Sequence, residues 1–215
     1  MNYKEIIDKA IFDANEHKSK LPDREFRFDI LDIYGMSSRK NRHLFNNLIN
    51  YYGPSARYLE IGVCHGSTYI SAMYQNTVEY SACIDNFMEY AHSGPKENFL
   101  NNYSKNIGGT PNLFEKDCFN FDYLASGIKD INIYFYDGRH KYEDQKDALM
   151  YYKNALANEF ILIVDDFDIP DIKKGTFDGL QESNININYK VELNRTQFND
   201  RETWWNGLLI AHCIK

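Results

Sequence analysis

The chain has 215 residues, 43% hydrophobic and 26% charged, with a net charge of −7. That length suits one α/β domain with a full core plus a short extra segment, and the acidic balance argues against a nucleic-acid surface, which needs a basic stripe. No apolar run is long enough to cross a bilayer and the opening residues, M-N-Y-K-E-I-I-D, lack a signal-peptide core, so a cytoplasmic protein with no membrane partner is expected.

Residues 2–17 place Ile6, Ile7, Ala10 and Ile11 at helical spacing, which reads as an amphipathic helix outside the sheet. It caps the sheet, covers a ligand or makes a dimer contact, and the sequence leaves the three open. Residues 21–36, with Pro22 and Gly35, read as an irregular connector. Ser37 or Ser38 then caps a helix through Leu44, Leu48 and Ile49 that stops at Gly53-Pro54. These elements form an N-terminal helical segment, 1–52, ahead of a main domain, 53–215. The nearest approaches to a basic patch are Arg39, Lys40 and Arg42, and the pair Lys173-Lys174; both read as solvated helix faces.

Residues 57–85 carry the first chemical signal. Tyr58, Leu59 and Ile61 make a strand, Gly62 and Gly66 a turn, 67–73 a helix and 80–84 a second strand tipped by Asp85, which together are one βαβ unit. The glycines clear side chains from where a cofactor lies against the backbone, and the second opens a helix whose free N–H groups face it. An acid about 20 residues past such a turn meets a ribose diol, and Asp85 stands there. A dinucleotide fingerprint, G-x-G-x-x-G, wants glycine where Cys64 sits, which disfavours NAD and flavin and leaves S-adenosylmethionine (SAM).

Further on, 95–103 is a short helix opened by Ser93 or Gly94, and 113–115 a short strand with Asp117 beyond it. Residues 131–136 form a strong strand ended by Asp137 and the turn Gly138-Arg139-His140. Apolar positions from Tyr142 to Leu156 keep helical spacing, and the continuous apolar run 160–164 reads as a parallel strand covered on both faces. It stops at Asp165-Asp166. Residues 173–182 read as a helix weakened by Gly175 and Gly179. Two last strands, 189–193 and 208–213, flank a loop with Trp204 and Trp205. The fold expected is α/β, a Rossmann-like, doubly wound, seven-stranded, mostly parallel sheet with a C-terminal antiparallel hairpin. Cys64, Cys83, Cys118 and Cys213 include no C-x-x-C pair and no zinc spacing, so reduced thiols are expected, with Cys83 and Cys213 in buried strands.

If the strands ending at Asp137 and Asp165-Asp166 are parallel neighbours, a right-handed connection brings their tips to one edge, where ligands bind in open α/β sheets. Three carboxylates there repel unless protonated or bound to a cation. All-oxygen ligation fits Mg²⁺, with Mn²⁺ and Ca²⁺ as weaker choices. The plainer alternative makes Asp165 or Asp166 a loop cap and Asp137 a cofactor contact.

An acidic strand end followed by G-x-x-x-G, here Glu60, Gly62 and Gly66, resembles the first motif of class I SAM-dependent methyltransferases. The resemblance implies that Glu60 and the turn, with Ser67, handle the methionine end of SAM, that Asp85 takes the ribose hydroxyls, and that Asp117 lies near the adenine, although Asp117 equally suits a cap. D-G-R-H-K-Y-E-D-Q-K-D-A-L followed by F-I-L-I-V-D-D-F is similar to metal-dependent macrocin-type sugar O-methyltransferases, over about residues 57–180. That likeness implies Asp137, Asp165 and Asp166 as metal ligands and His140 as the base. Gly138-Arg139-His140 after Asp137 is unlike the D/N-P-P-Y of amine methyltransferases. Trp204, Trp205, Tyr90 and His92 either line an acceptor pocket or pack a core edge. The function expected is divalent-metal-assisted O-methylation of a sugar or phenol; the alternatives are a NAD-type oxidoreductase and a SAM-binding module without catalysis, and a homo-oligomer stays open.

Overall fold

The computed structural model describes residues 2–22 and 30–215; stretch 23–29 of the expected connector lies outside the described residues. Helix α1 (Tyr3–Asn15) opens on a capping box in which the Asn2 side chain accepts from the Glu5 N–H and the Glu5 carboxylate accepts from the Asn2 N–H. Its apolar stripe, Ile6, Ile7, Ala10 and Ala14, is buried, and the helix packs on α2 (Arg39–Tyr52). Ser38 caps α2, and Gly53 ends it at φ 91°.

The sheet has seven strands: β1 (Arg57–Ile61), β2 (Tyr80–Ile84), β3 (Leu113–Phe114), β4 (Ile131–Tyr136), β5 (Leu156–Asp165), β6 (Asn186–Leu193) and β7 (Leu208–Ile214), in the order β3-β2-β1-β4-β5-β7-β6. The first five are mutually parallel, and β7 lies antiparallel between β5 and β6. Helices α3 (Ser67–Met73), α4 (Pro95–Asn106), α5 (Tyr142–Tyr152) and α6 (Pro170–Glu182) fill the connections. The expected sheet and hairpin are present.

Period-2 alternation divides the strand side chains between two layers. Tyr58, Ile133, Phe135, Ile161 and Ile163 join one core with α1, α2 and Phe99 of α4. Leu59, Ile61, Tyr134, Leu162 and Val164 join the other with Leu149 and Leu180. The chain leaves β1 toward β2 on one side and returns to β4 on the other, so a crevice opens between their C-terminal ends.

Several expectations change in detail. The helix after Tyr142 stops at Tyr152; Lys153–Ala155 tightens into a 3₁₀ turn, and Leu156 begins β5 by pairing with Ile131. Helix α6 starts at Pro170 because proline suits a first helical turn. Arg42 is no solvated side chain: it is buried, and its guanidinium donates to the Ile30 and Leu31 carbonyls and to Ser37 Oγ. Lys173 and Lys174 do stay at the surface, paired with Glu192 and Asp178. Trp204 and Trp205 are buried, so they pack a core edge. Tyr3 of α1 stacks on His212 at 4.0 Å and donates to the Glu159 carbonyl, so α1 covers the β5–β7 end of the sheet. The four cysteines are free thiols, and no helix among the described residues is long and apolar enough to cross a membrane.

Candidate active site

A cleft of about 590 Å³ lies over the C-terminal ends of β1, β2 and β4, and Gly62, Asp85, Asp117, Asp137 and His140 all line it. The turn after β1 is drawn tight by backbone pairing. Gly62 N–H donates to the Ile84 carbonyl and Asp137 N–H to the Ile61 carbonyl, each at 2.9 Å. Gly62 has φ 84°, and a Cβ built there would lie 1.9 Å from the Asp137 carbonyl oxygen. Cys64 takes φ 46° and lines the cleft, at the place where a dinucleotide turn needs a bare backbone.

Asp85 braces this turn. Its Oδ2 accepts from the Val63 and Cys64 N–H groups at 2.9 and 2.8 Å, and its Oδ1 accepts from Phe87 N–H at 2.7 Å. A carboxylate has about four acceptor positions, so one remains for a ligand hydroxyl. Asp117 shares a similar double duty: Oδ1 accepts from Phe119 N–H at 3.0 Å, while Oδ2 lies 3.9 Å from Arg139.

Glu60, Gly66 and Ser67 stand elsewhere. Glu60 is fully buried behind the turn, on the layer opposite Ile61, where Thr68 Oγ1 donates to it at 2.6 Å and the Tyr58 hydroxyl at 2.5 Å. It ties β1 to α3 and lies off the cleft wall. The space beside Gly66 is filled by Phe99 and Ile70. Ser67 is covered by the preceding connector, with its Oγ 3.2 Å from Ser37 Oγ.

Burial raises the Glu60 carboxyl from its ordinary 4.5 to about 8. The folded protein therefore holds a proton that the unfolded chain releases above about pH 4.5, and stability falls as pH climbs toward 8, by at most ~1.4 kcal/mol per pH unit. Glu60→Gln keeps an acceptor for Thr68 and does not titrate. Urea midpoints of wild type and variant between pH 5 and 9 are expected to converge at the acid end and separate toward pH 8, with the variant the more stable. Parallel curves would show that Glu60 stays ionised in the fold. The difference between the curves isolates Glu60 from Asp137 and Asp165, which are shifted in the same direction.

Across the cleft, parallel pairing of β4 with β5 brings the predicted acids together. Burial, then the charges of Asp165 and Asp166, holds the Asp137 carboxyl well above the usual carboxylate range. Asp165 is raised likewise, by burial and then by the charge of Asp166. Both shifts favour the protonated form of the pair. His140 bridges to the third acid, with Nε2 3.5 Å from Asp137 Oδ1 and Nδ1 3.4 Å from Asp166 Oδ2. Asp166 Oδ1 is buried with no hydrogen-bond partner.

These donors are hard oxygens of the kind that hold a divalent cation. Among the described residues, however, no three acidic, histidine or cysteine side chains are disposed to hold a metal.

Other lining residues gave no sequence signal. Met36 enters from the connector, where it accepts from the Tyr90 hydroxyl at 3.7 Å, and Phe87, Cys118 and Phe119 come from loops after β2 and β3. Tyr90 lines the cleft and His92 does not. Burial raises the Cys64 and Cys118 thiols to about 11 and about 12, so neither is a ready thiolate nucleophile.

No family model matches the sequence, and no curated protein matches it at sequence level. Solved structures do match in fold. A precorrin-6y C5,15-methyltransferase from Geobacter metallireducens aligns with a TM-score of 0.57 at 13% identity, over 91% of this chain and 94% of that one. A candidate O-methyltransferase from Klebsiella pneumoniae gives 0.57 at 11% identity, over 100% and 92%. TrmK of M. capricolum, in complex with the cofactor product S-adenosylhomocysteine (SAH), gives 0.52 at 15% identity, over 80% and 67%. Two longer methyltransferase structures are spanned only to 50% and 48% of their length. The chain thus has the class I methyltransferase fold.

Proposed function

We propose that this protein transfers the methyl group of SAM to a hydroxyl of a small molecule, with His140 taking the hydroxyl proton. The observation that carries the reading is the meeting, at the strand tips around one cleft, of the Asp85-braced glycine turn with the group Asp137, Asp166 and His140. SAM supplies a methyl on a sulfonium: the O–C bond forms as the S–C bond breaks, and the electron pair stays on sulfur. The bare backbone of Gly62 allows close approach of the cofactor, Asp85 keeps an acceptor position for a ribose hydroxyl, and Phe87 and Phe119 offer apolar surface to the adenine ring. Asp166 orients His140 through Nδ1 and stabilises the ring once it is charged, which leaves Nε2 as the atom that accepts the proton. A net charge of −7 favours a small acceptor over a nucleic acid.

Calorimetric titration tests the cofactor. SAH is expected to bind saturably, Asp85→Ala to weaken it about tenfold or more, and NADH to give no heat. Binding of NADH without SAH would overturn the reading in favour of an oxidoreductase, while SAH binding with no methyl transfer to any phenol or sugar would leave a binding module. A second reading, with a divalent cation at the acids, is favoured by the unpartnered buried Oδ1 of Asp166. The same titrations repeated with Mn²⁺, on wild type and Asp166→Asn, decide it.

A further inference from the structure

The sheet ends in two unlike edges. At one, β3 is only two residues long; at the other, β6 runs for eight, Asn186–Leu193. The inner side of β6 pairs with β7. Among the described residues no backbone hydrogen bond reaches its outer side. A long edge with free N–H and C=O groups is a template for another strand unless its side chains forbid one.

The pleat sorts the β6 side chains into two rows. Tyr189 and Val191 pack half-buried against the layer that holds α1 and α2. Lys190 and Glu192 face α6: Lys190 Nζ lies 5.0 Å from the centre of the Phe177 ring, and Glu192 pairs with both Lys173 and Lys190. Between Ile187 and Tyr189 the register with β7 shifts, so the regular stretch is 189–193. A lone lysine on such an edge turns away a second copy by like charge. Here a glutamate stands two positions on, which reverses that effect in one register.

We propose that β6 pairs antiparallel with β6 of a second copy of this chain, about a two-fold axis at Val191, which joins two seven-stranded sheets into one. In that register Lys190 stands directly opposite Glu192 of the second copy, and Glu192 opposite its Lys190, at the ~4.5–5.5 Å that separates cross-strand neighbours. Val191 faces its own equivalent, and Tyr189 faces Leu193. Moving the axis to Lys190 or to Glu192 sets that residue against itself, so charge selects the register. The two-fold doubles each contact, and a strand of unrelated sequence would lack the reciprocal match. The cleft lies over β1, β2 and β4, with β5 and β7 between it and this edge. Both clefts therefore stay open, and the pairing is independent of the methyl-transfer reading.

Sedimentation equilibrium over a concentration series tests it. The wild type is expected to dimerise, and to do so less tightly as salt screens the pairs. Lys190→Glu and Glu192→Lys are each expected to raise the dimer dissociation constant about tenfold or more, because two attractive pairs become two repulsive ones. An equimolar mixture of the two variants is expected to dimerise as the wild type does, since the acidic edge of one then faces the basic edge of the other. That recovery also shows both variants to be folded. A wild type that stays monomeric would overturn the proposal, and so would a dimer that both variants retain, which places the contact elsewhere. Dissociation without recovery in the mixture would overturn it too, because the charges would then act only within their own chain, through Lys173 and Lys190 on Glu192.

Discussion

Replacing His140 with alanine is expected to lower kcat for methyl transfer about 10²–10⁴-fold, the usual worth of a positioned general base, with SAH affinity changed by less than about twofold. The separation of the two effects follows from the site. His140 lines the same cleft as the turn residues, but its ring nitrogens lie 3.5 and 3.4 Å from Asp137 and Asp166 and not against the glycine turn. Its place in the reaction is to remove charge from an acceptor that becomes more acidic as its oxygen gains carbon, and Asp166 lowers the cost of the imidazolium that results. Single-turnover transfer to whichever phenol or sugar the wild type accepts is the measurement. Rescue of the alanine variant by added imidazole would identify the missing function as proton transfer rather than shape. A kcat within about threefold of wild type would remove His140 from the chemistry, since no base worth its position costs so little to delete.

What the sequence made legible was the framework of strand tips, because apolar runs that stop at acids leave little choice of register. Ile131–Tyr136 ended by Asp137 and the run ended by Asp165 are neighbours in parallel pairing, as their spacing implied. Glu60 was harder. Its residue type pointed to the cofactor, but alternation along β1 turns Tyr58 and Glu60 to one layer and Leu59 and Ile61 to the other, and only the packing of Thr68 shows that Glu60 is enclosed. Arg42 had the same ambiguity in reverse: a charge amid charges reads as solvated until a distant segment, Ile30 to Ile33, folds over it. Gly175 and Gly179 weakened the reading of α6, yet they are why α6 lies so close to α5. A Cβ at either would sit 2.4 or 2.7 Å from the Tyr142 or Lys146 carbonyl. Gly35 packs against Ser67, and Met36 of the cleft meets the Tyr90 hydroxyl, each partner more than thirty residues along the chain, for which local pattern holds no signal.

Gly62→Ala is expected to be among the most destabilising single changes in the molecule, because two independent costs fall on one methyl group. The first is conformational: φ of 84° is strained for any residue with a Cβ, at about 1–3 kcal/mol. The second is steric. The added carbon would lie 1.9 Å from the Asp137 carbonyl oxygen and 2.7 Å from its carbonyl carbon, both backbone atoms that cannot swing aside. Overpacking of this kind costs roughly another 1–3 kcal/mol or more, so the sum is a large part of the ~5–15 kcal/mol that holds a domain together. Gly53→Ala supplies the control. Its φ is 91°, but nothing lies within 4 Å of the new Cβ, so it carries the conformational cost alone. The gap between the two urea midpoints therefore measures how tightly the turn after β1 is pressed against the end of β4. Any relaxation of the first variant must also move Asp137 away from the turn, and the partnership of Asp137 with Asp165 and His140 would shift with it. Equal destabilisation in the two variants would show that the turn and the acid cluster are not in contact, and would separate the cofactor half of the cleft from the half that handles the proton.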